Sequence, residues 1–127
     1  MNLLLDTHVV LWWLAGDARL RQPSREAIKA VENRVVISAA SVWEAGIKKA
    51  LGKLTFEPAE WRMVAEAQCF AELPVRHEHA WVASALPRHH EDPFDRMLIA
   101  QAIVEELTVV TSDRIFGQYS VPTFWAG

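Results

Sequence analysis

The chain has 127 residues, of which 51% are hydrophobic and 23% are charged, a globular composition that excludes a disordered protein. This length suits a single domain over residues 1–127 and leaves little room for a second. The formal charge of −3, from 13 basic and 16 acidic residues, lacks the basic surplus of most nucleic-acid-binding domains, although the basic residues can still gather on one face.

In the first half of the chain, short apolar runs predict buried strands at Leu3–Leu5 and Val35–Ser38. The spacing of apolar residues predicts helices from Val9 to near Gly16, from Pro23 to Glu32 and from Ser41 to Leu51. The residues expected on the apolar faces of the second and third helices are Ala27, Ile28, Val31, Val42, Trp43, Ile47 and Leu51.

The second half predicts three further helices, at 58–69, 79–85 and 94–106, with a polar loop over 87–93. A short extended segment at 73–75, a strand at 107–111, a short helix after Asp113 and a last extended segment at 122–125 complete the pattern. Short apolar strands that alternate with helices predict an α/β domain, with a mostly parallel central sheet and helices on both faces.

Neither a membrane span nor a secretion signal is expected. No apolar run approaches the roughly 18–20 residues that a span needs, and the N-terminus has no basic region or small-residue cleavage site. The only cysteine, Cys69, is predicted to be a reduced thiol in the core. We therefore expect a cytoplasmic protein that does not associate with membranes.

Tryptophan is abundant for this length, with six residues. Trp43, Trp61 and Trp81 have helical core spacing and are expected to pack inside. The adjacent pair Trp12 and Trp13 cannot both face one core, so one of them is expected at a protein interface.

Acidic residues lie where the predicted strands end. Asp6 and Asp113 follow the first and the last long strand, whereas Glu44 and Asp95 are expected in the first turns of two helices. In a parallel α/β sheet, the carboxyl ends of the strands and the amino ends of the following helices share one edge, where ligands bind. We therefore expect these four carboxylates to converge.

Converged carboxylates repel one another unless a cation or shared protons neutralise them. Mg²⁺ or Mn²⁺ suits an all-oxygen site, and either ion can activate water for attack on a phosphodiester. Each acid also has an alternative role at the start of a helix. Glu44 could form a capping box with Ser41, and Asp6 and Asp113 could cap the helices that follow them. Asp95 could lie near the positive end of the helix dipole, with Asp92 as the N-cap and Pro93 at the first helical position.

Four segments, in order and spacing, resemble the PIN-domain nucleases, and among them the VapC-type toxins of type II toxin–antitoxin systems. These segments are Leu4–His8, Ser38–Glu44, His89–Arg96 and Val109–Asp113, and together they span nearly the whole chain. The resemblance implies a single PIN-like domain, a homodimer, and a small antitoxin protein that wraps the toxin and blocks its acidic site.

The resemblance also implies a tetrad of catalytic acids at Asp6, Glu44, Asp95 and Asp113, with Mg²⁺ or Mn²⁺ as the cofactor. Our hypothesis is that Asp6, Asp95 and Asp113 bind the metal and that Glu44 positions or deprotonates the attacking water. Thr7 and Ser112 match the family's small polar residues beside the first and last acids. Asp92 either assists at the metal or caps the helix.

Basic residues near these acids are candidates for contacts with RNA phosphates. The alternative for each is an ordinary solvated surface. Zinc is not expected, because the adjacent histidines are poorly spaced for one ion and no cysteine is near. The candidates are Lys48, Lys49, Lys53, Arg88, His89, His90 and Arg96.

Three other functions share some of these features. Receiver-type signalling modules also bind Mg²⁺ with acids at this edge of a sheet. Their sequence pattern has paired acids after the first strand and a lysine after the fifth, and this chain shows neither feature. An inactive binding scaffold is disfavoured by the intact tetrad. A DNA-directed nuclease stays open, because the sequence does not reveal how the 2′-hydroxyl of RNA would be read.

Overall fold

Five strands form one sheet in which every neighbouring pair is parallel. The computed structural model describes residues 1–127. The prediction of a mostly parallel sheet is confirmed. The strands are β1 (Asn2–Leu5), β2 (Arg34–Ser38), β3 (Ala71–Leu73), β4 (Thr108–Thr111) and β5 (Thr123–Trp125).

Six α-helices connect these strands, and a 3-10 helix over Arg114–Gln118 follows β4. None of the helices combines the length and the apolar character that crossing a bilayer requires. The helices are α1 (Thr7–Ala15), α2 (Gln22–Lys29), α3 (Ala39–Ala50), α4 (Pro58–Ala67), α5 (His77–Ala85) and α6 (Pro93–Glu105).

Both faces of the sheet are covered, which explains why the strands are continuous apolar runs. Successive side chains of a strand point to opposite faces. Leu3 and Leu5 therefore join the apolar core under α1–α4, whereas Leu4 joins a second core with Leu98 of α6 and Phe116 of the 3-10 helix. The predicted two-sided α/β architecture is confirmed.

The strand order places the chain's change of direction between β1 and β4. From β1 the chain builds outward through β2 to β3, and it then returns to add β4 and β5 on the other side of β1. In such sheets the crevice for ligands lies outside the carboxyl ends of the strands at this switch point. Asp6 directly follows β1, and Asp113 lies two residues beyond β4.

Helix α3 differs from its prediction at its start and on its outer face. It begins at Ala39, because Ser38 caps it by accepting a hydrogen bond from the Ala40 N–H (3.0 Å). Glu44 therefore lies in the second turn, and the Ser41–Glu44 capping box is absent. The residues predicted for the core are exposed instead: Val42, Trp43, Ile47 and Leu51.

Two other predicted core residues lie in solvent because their helices end early. Helix α2 ends at Lys29, so Val31 lies beyond it and is 99% exposed. Helix α4 ends before Cys69, whose positive φ of 58° turns the chain towards β3 and leaves the thiol exposed. Ile103 of α6 is also exposed, while its neighbours Leu98, Ile99, Ala100 and Ala102 form the buried face.

The predicted extended segment at 73–75 is displaced towards the N-terminus. Strand β3 ends at Leu73 because Pro74 has no N–H to donate to the sheet. The tryptophans also depart from the prediction: Trp61 is buried, but Trp43 and Trp81 are 67% and 77% exposed. Both Trp12 and Trp13 are half-buried against the core, so neither is fully exposed.

Candidate metal centre

Asp6 is the deepest acid at the carboxyl edge, with 4% of its surface exposed. Its Oδ2 atom accepts a hydrogen bond from Thr111 Oγ1 at the end of β4 (2.8 Å). Thr111 Oγ1 in turn accepts from the Asp113 N–H (3.0 Å). Although Asp6 precedes α1, its side chain does not cap that helix. One threonine thus joins the acids after β1 and β4.

Glu44 is equally buried, at 3% exposed, and it points inward from α3. Its Oε2 atom accepts from Lys48 Nζ one helical turn later (2.7 Å), whereas its Oε1 atom is buried without any hydrogen-bond partner. Thr7 and Ser41, both buried, join α1 to α3 by a hydroxyl hydrogen bond of 3.0 Å. A buried carboxylate oxygen without a hydrogen-bond partner destabilises the folded protein. A ligand from outside the protein chain would satisfy Oε1.

Asp95 lies in the first turn of α6, and this helix is capped by Asp92. Asp92 Oδ1 accepts from the Phe94 and Asp95 N–H groups (2.8 and 3.1 Å), with Pro93 at the first helical position. The helix-capping role of Asp92 is therefore present in the structure. This cap sets the position of Asp95.

Asp113 uses one oxygen for local structure and the other for the site. Its Oδ1 atom accepts from the Ile115 N–H (3.0 Å) and caps the 3-10 helix. Its Oδ2 atom is hydrogen-bonded to His90 Nε2 (2.9 Å), and the same nitrogen lies 2.9 Å from Asp95 Oδ2. A histidine from the loop between α5 and α6 therefore lies between the two more exposed acids.

The pKa values of these groups reflect how close the carboxylates are to one another. Burial, reinforced by the negative charges of Asp6, Asp92, Glu44 and Asp113, raises the pKa of Asp95 to about 8. Burial also raises the pKa of Asp6, against the hydrogen bond from Thr111, which lowers it. The hydrogen bond to Glu44 raises the pKa of Lys48. At neutral pH the site resists holding its full negative charge without a positive partner.

The donor set fits a hard divalent cation. Carboxylates from four separate segments lie near one another, one buried oxygen has no partner, and the acids oppose one another's ionisation. Mg²⁺ and Mn²⁺ prefer such oxygen ligands. His90, Asp95 and Asp113 also offer three ligand-type atoms within 4.8 Å of one another.

The sequence model of the PIN domain matches residues 3–122. This chain belongs to the PIN domain family. The prediction of a PIN domain is confirmed, and it rests on nearly the whole chain. A search among curated proteins gives no significant match.

Solved structures share the fold of this PIN domain at low sequence identity. VapBC2 from Rickettsia felis, bound to a DNA fragment from its promoter, superposes with a TM-score of 0.72 at 14% identity and 98% coverage of both chains. A toxin–antitoxin complex from Klebsiella pneumoniae gives 0.66 at 17% identity, covering 98% of this chain and 97% of that one. FitAcB from Neisseria gonorrhoeae gives 0.59 at 21%, with the same coverages.

Several basic residues predicted to contact RNA have internal partners in this PIN domain. Lys48 is bound to Glu44, and Lys49 Nζ lies over the Phe56 ring, 5.7 Å from its centroid. Arg96 donates four hydrogen bonds to backbone carbonyls of residues 83–90 and so fixes the loop before α6. Arg88 and Lys53 are exposed.

Sequence reasoning missed two of the side chains that organise the site. The resemblance points to Ser112 as the polar residue beside the last acid, but Ser112 is exposed, and Thr111 makes the hydrogen bond to Asp6. The signal for Thr111 is its place as the last residue of β4, at the carboxyl edge where the acids are expected. The sequence predicts an RNA contact for His90, and no spacing rule places it between Asp95 and Asp113.

Proposed function

We propose that this PIN domain is a divalent-metal-dependent endoribonuclease and the toxin of a toxin–antitoxin pair. PIN domains are generally nucleases and usually depend on divalent metals. The observation that carries the proposal is the buried acidic cluster at the switch point of the sheet, with Glu44 Oε1 unpartnered. Toxin–antitoxin complexes among the structural neighbours support the second half of the proposal.

The residues would divide the work as follows. Asp6, Asp95 and Asp113 would hold Mg²⁺ or Mn²⁺, which when bound supplies a Lewis acid for the scissile phosphate and a more acidic water. Glu44, held by Lys48 through its other oxygen, would orient the attacking water or accept its proton at Oε1. Hydrolysis of this kind leaves a 5′-phosphate and a 3′-hydroxyl, whereas attack by the RNA's own 2′-hydroxyl leaves a cyclic phosphate.

The test is to incubate the protein, purified free of any antitoxin, with total bacterial RNA and Mn²⁺ or Mg²⁺, and to map new ends by sequencing. We expect discrete cuts with 5′-phosphates that are absent from reactions with EDTA or with the Asp95→Asn variant. Cuts that persist with Asp95→Asn would refute the assigned site. Cleavage of single-stranded DNA of the same sequence, without cleavage of RNA, would make the enzyme a DNA-directed nuclease.

RNA binding would depend on the exposed basic residues at the rim. Arg88 and Lys53 are the best supported of these, because Lys48, Lys49 and Arg96 already have partners within the protein. Contacts to phosphates make binding salt-dependent. Replacing Arg88 with Ala should therefore weaken binding to RNA and flatten its dependence on salt, and unchanged binding would remove Arg88 from the RNA surface.

An apolar groove of about 940 Å³ offers a surface for the antitoxin. It runs between the outer face of α3 and α4, and it is bordered by the edge strand β3. The ring of Trp43 lies 5.4 Å from that of Phe94, the residue before Asp95, so a partner in the groove would lie beside the acids. Its apolar lining includes Val42, Trp43, Phe56, Trp61, Phe70 and Leu73.

The groove can be tested with the antitoxin, whose gene we expect next to that of the toxin. Trp43→Glu should abolish co-purification of the two proteins, because it places a charge on an apolar contact surface. Trp81→Glu is the matched control, since Trp81 is exposed on a different helix and outside the groove. Equal co-purification of both variants would rule the groove out.

We also propose a homodimer, which sedimentation of the isolated protein would detect.

A further inference from the structure

His90 is held firmly by the loop that carries it. Its backbone N–H donates to Tyr119 Oη (2.7 Å), and its carbonyl accepts from Arg96 Nη1 (3.1 Å). Its ring packs against Phe116 at a centroid distance of 5.9 Å, with the two planes almost perpendicular. The imidazole therefore has a fixed position beside the acids, and its Nε2 atom lies 2.9 Å from both Asp95 Oδ2 and Asp113 Oδ2.

This triad has the ligand types and the spacing of a metal site, with three candidate atoms within 4.8 Å of one another. The other ring nitrogen argues against His90 as a metal ligand. A histidine that binds a metal through one nitrogen usually donates its other N–H to a carbonyl or a carboxylate. His90 Nδ1 instead faces a donor, the Asp92 N–H, at 3.2 Å.

The hydrogen bond from Asp92 fixes the tautomer of a neutral imidazole. Nδ1 must accept, so the proton lies on Nε2, the nitrogen that faces the acids. His90 then acts as a donor to the Asp113 carboxylate, with Asp95 Oδ2 at the same distance from the nitrogen. A nitrogen that carries a proton has no lone pair to offer a cation.

We infer that His90 is a positioning residue that holds Asp95 and Asp113 together in the metal-free protein and competes with the divalent cation for their oxygens. Without a donor between them, the two carboxylates would repel each other whenever both are ionised. The N–H of His90 reduces that repulsion, and the cation reduces it more strongly. Binding of the cation therefore weakens the contact of His90 with these oxygens. The inference rests on the proposed function only in taking the cation as the cofactor.

The first test measures Mn²⁺ binding by calorimetry and needs no RNA. We expect His90→Ala to bind Mn²⁺ about tenfold more tightly than the wild type, because a competing hydrogen bond to a charged group is lost. His90→Gln keeps an amide donor and should bind like the wild type. His89→Ala is the matched control, because His89 packs on Tyr119 and is not among the residues in contact with the acids.

Weaker Mn²⁺ binding by His90→Ala would make His90 a metal ligand and overturn the inference, and unchanged affinity would overturn it too. A second measurement does not depend on the folding of any variant. The ¹⁵N shifts of the imidazole should report the Nε2–H tautomer of His90 in the metal-free protein and a changed Nε2–H hydrogen bond with saturating Mg²⁺. The Nδ1–H tautomer would refute the inference. Both tests stand even if RNA cleavage is not found.

Discussion

The four acids form an inner and an outer pair, and the two pairs differ in the groups that donate hydrogen bonds to them. Asp6 and Glu44 are almost fully buried, and their donors are Thr111 of β4 and Lys48 of α3. Asp95 and Asp113 are more exposed, and both contact a single donor from a loop, His90.

This difference separates the fixed part of the site from the adjustable part. The donors of the inner pair lie on α3 and β4, whose backbones are fixed by the hydrogen bonds of the helix and the sheet. The donor of the outer pair, the ring of His90, is part of neither the sheet nor a helix, so the loss of its contact with the acids breaks no strand or helix hydrogen bond. A cation that enters the site should therefore keep the contacts of Thr111 and Lys48 and replace those of His90.

The largest expected effect comes from the inner pair. Asp6→Asn keeps the shape of the side chain and can still accept from Thr111. It removes a charge that the cation needs, so RNA cleavage should fall at least about 100-fold with little change in thermal stability. Circular dichroism and a cleavage assay would check this. Activity within a few-fold of the wild type would move Asp6 out of the catalytic group.

The outer pair should make stability depend on pH. The pKa of Asp95 is about 8 in the folded protein, against 3.8 for an unperturbed aspartate, so between these values the folded state holds a proton that the unfolded chain has lost. The free energy of unfolding of the metal-free protein should thus fall as pH rises from about 4 to 8, by up to about 1.4 kcal/mol per pH unit. The raised pKa of Asp6 acts in the same direction.

Urea unfolding in EDTA at several pH values would measure this trend. Asp95→Asn should flatten it, and saturating Mg²⁺ should oppose it, because the cation binds ionised carboxylates. A metal-free wild type that gains stability over this range would contradict the assignment.

Replacing Lys48 tests how much its ion pair with Glu44 stabilises the folded protein. Lys48→Met leaves the buried carboxylate without its ionic partner, and because Lys48 is partly exposed we expect a loss of about 1–3 kcal/mol rather than the larger cost of a fully buried pair. Lys49→Met is the matched control, since Lys49 contacts Phe56 and not the acids. Equal losses in the two variants, measured by urea unfolding, would show that the Glu44 contact contributes nothing.

The smallest effect is expected for Thr111→Val, which removes one hydroxyl at nearly constant volume. The Asp6 carboxylate and the Asp113 N–H each lose a partner, so we expect a loss of about 1–2 kcal/mol and a roughly tenfold weaker affinity for Mn²⁺. Thr108→Val, at the other end of β4, is the control. If Thr108→Val weakens Mn²⁺ binding as much, the Thr111 hydroxyl has no special role.

Much of the fold could be predicted from the sequence. Apolar runs such as Leu3–Leu5 are buried on both faces of the sheet, and such runs bounded by acids or by serine predict strands well. The errors lie where local pattern and tertiary packing disagree. The apolar residues Val42, Trp43 and Leu51 have helical spacing, but each of them is at least 50% exposed in the folded protein.

The sequence by itself determined the long strands, their parallel arrangement and the acids that follow them, because apolar runs mark buried strands and right-handed crossovers through helices make successive strands parallel. Only the tertiary structure decided which donor balances each acid. Thr111 reaches Asp6 across 105 positions and His90 reaches Asp113 across 23, and such distant contacts follow from strand pairing and loop anchoring rather than from spacing. For the same reason, the unpartnered oxygen of Glu44 becomes visible only in three dimensions.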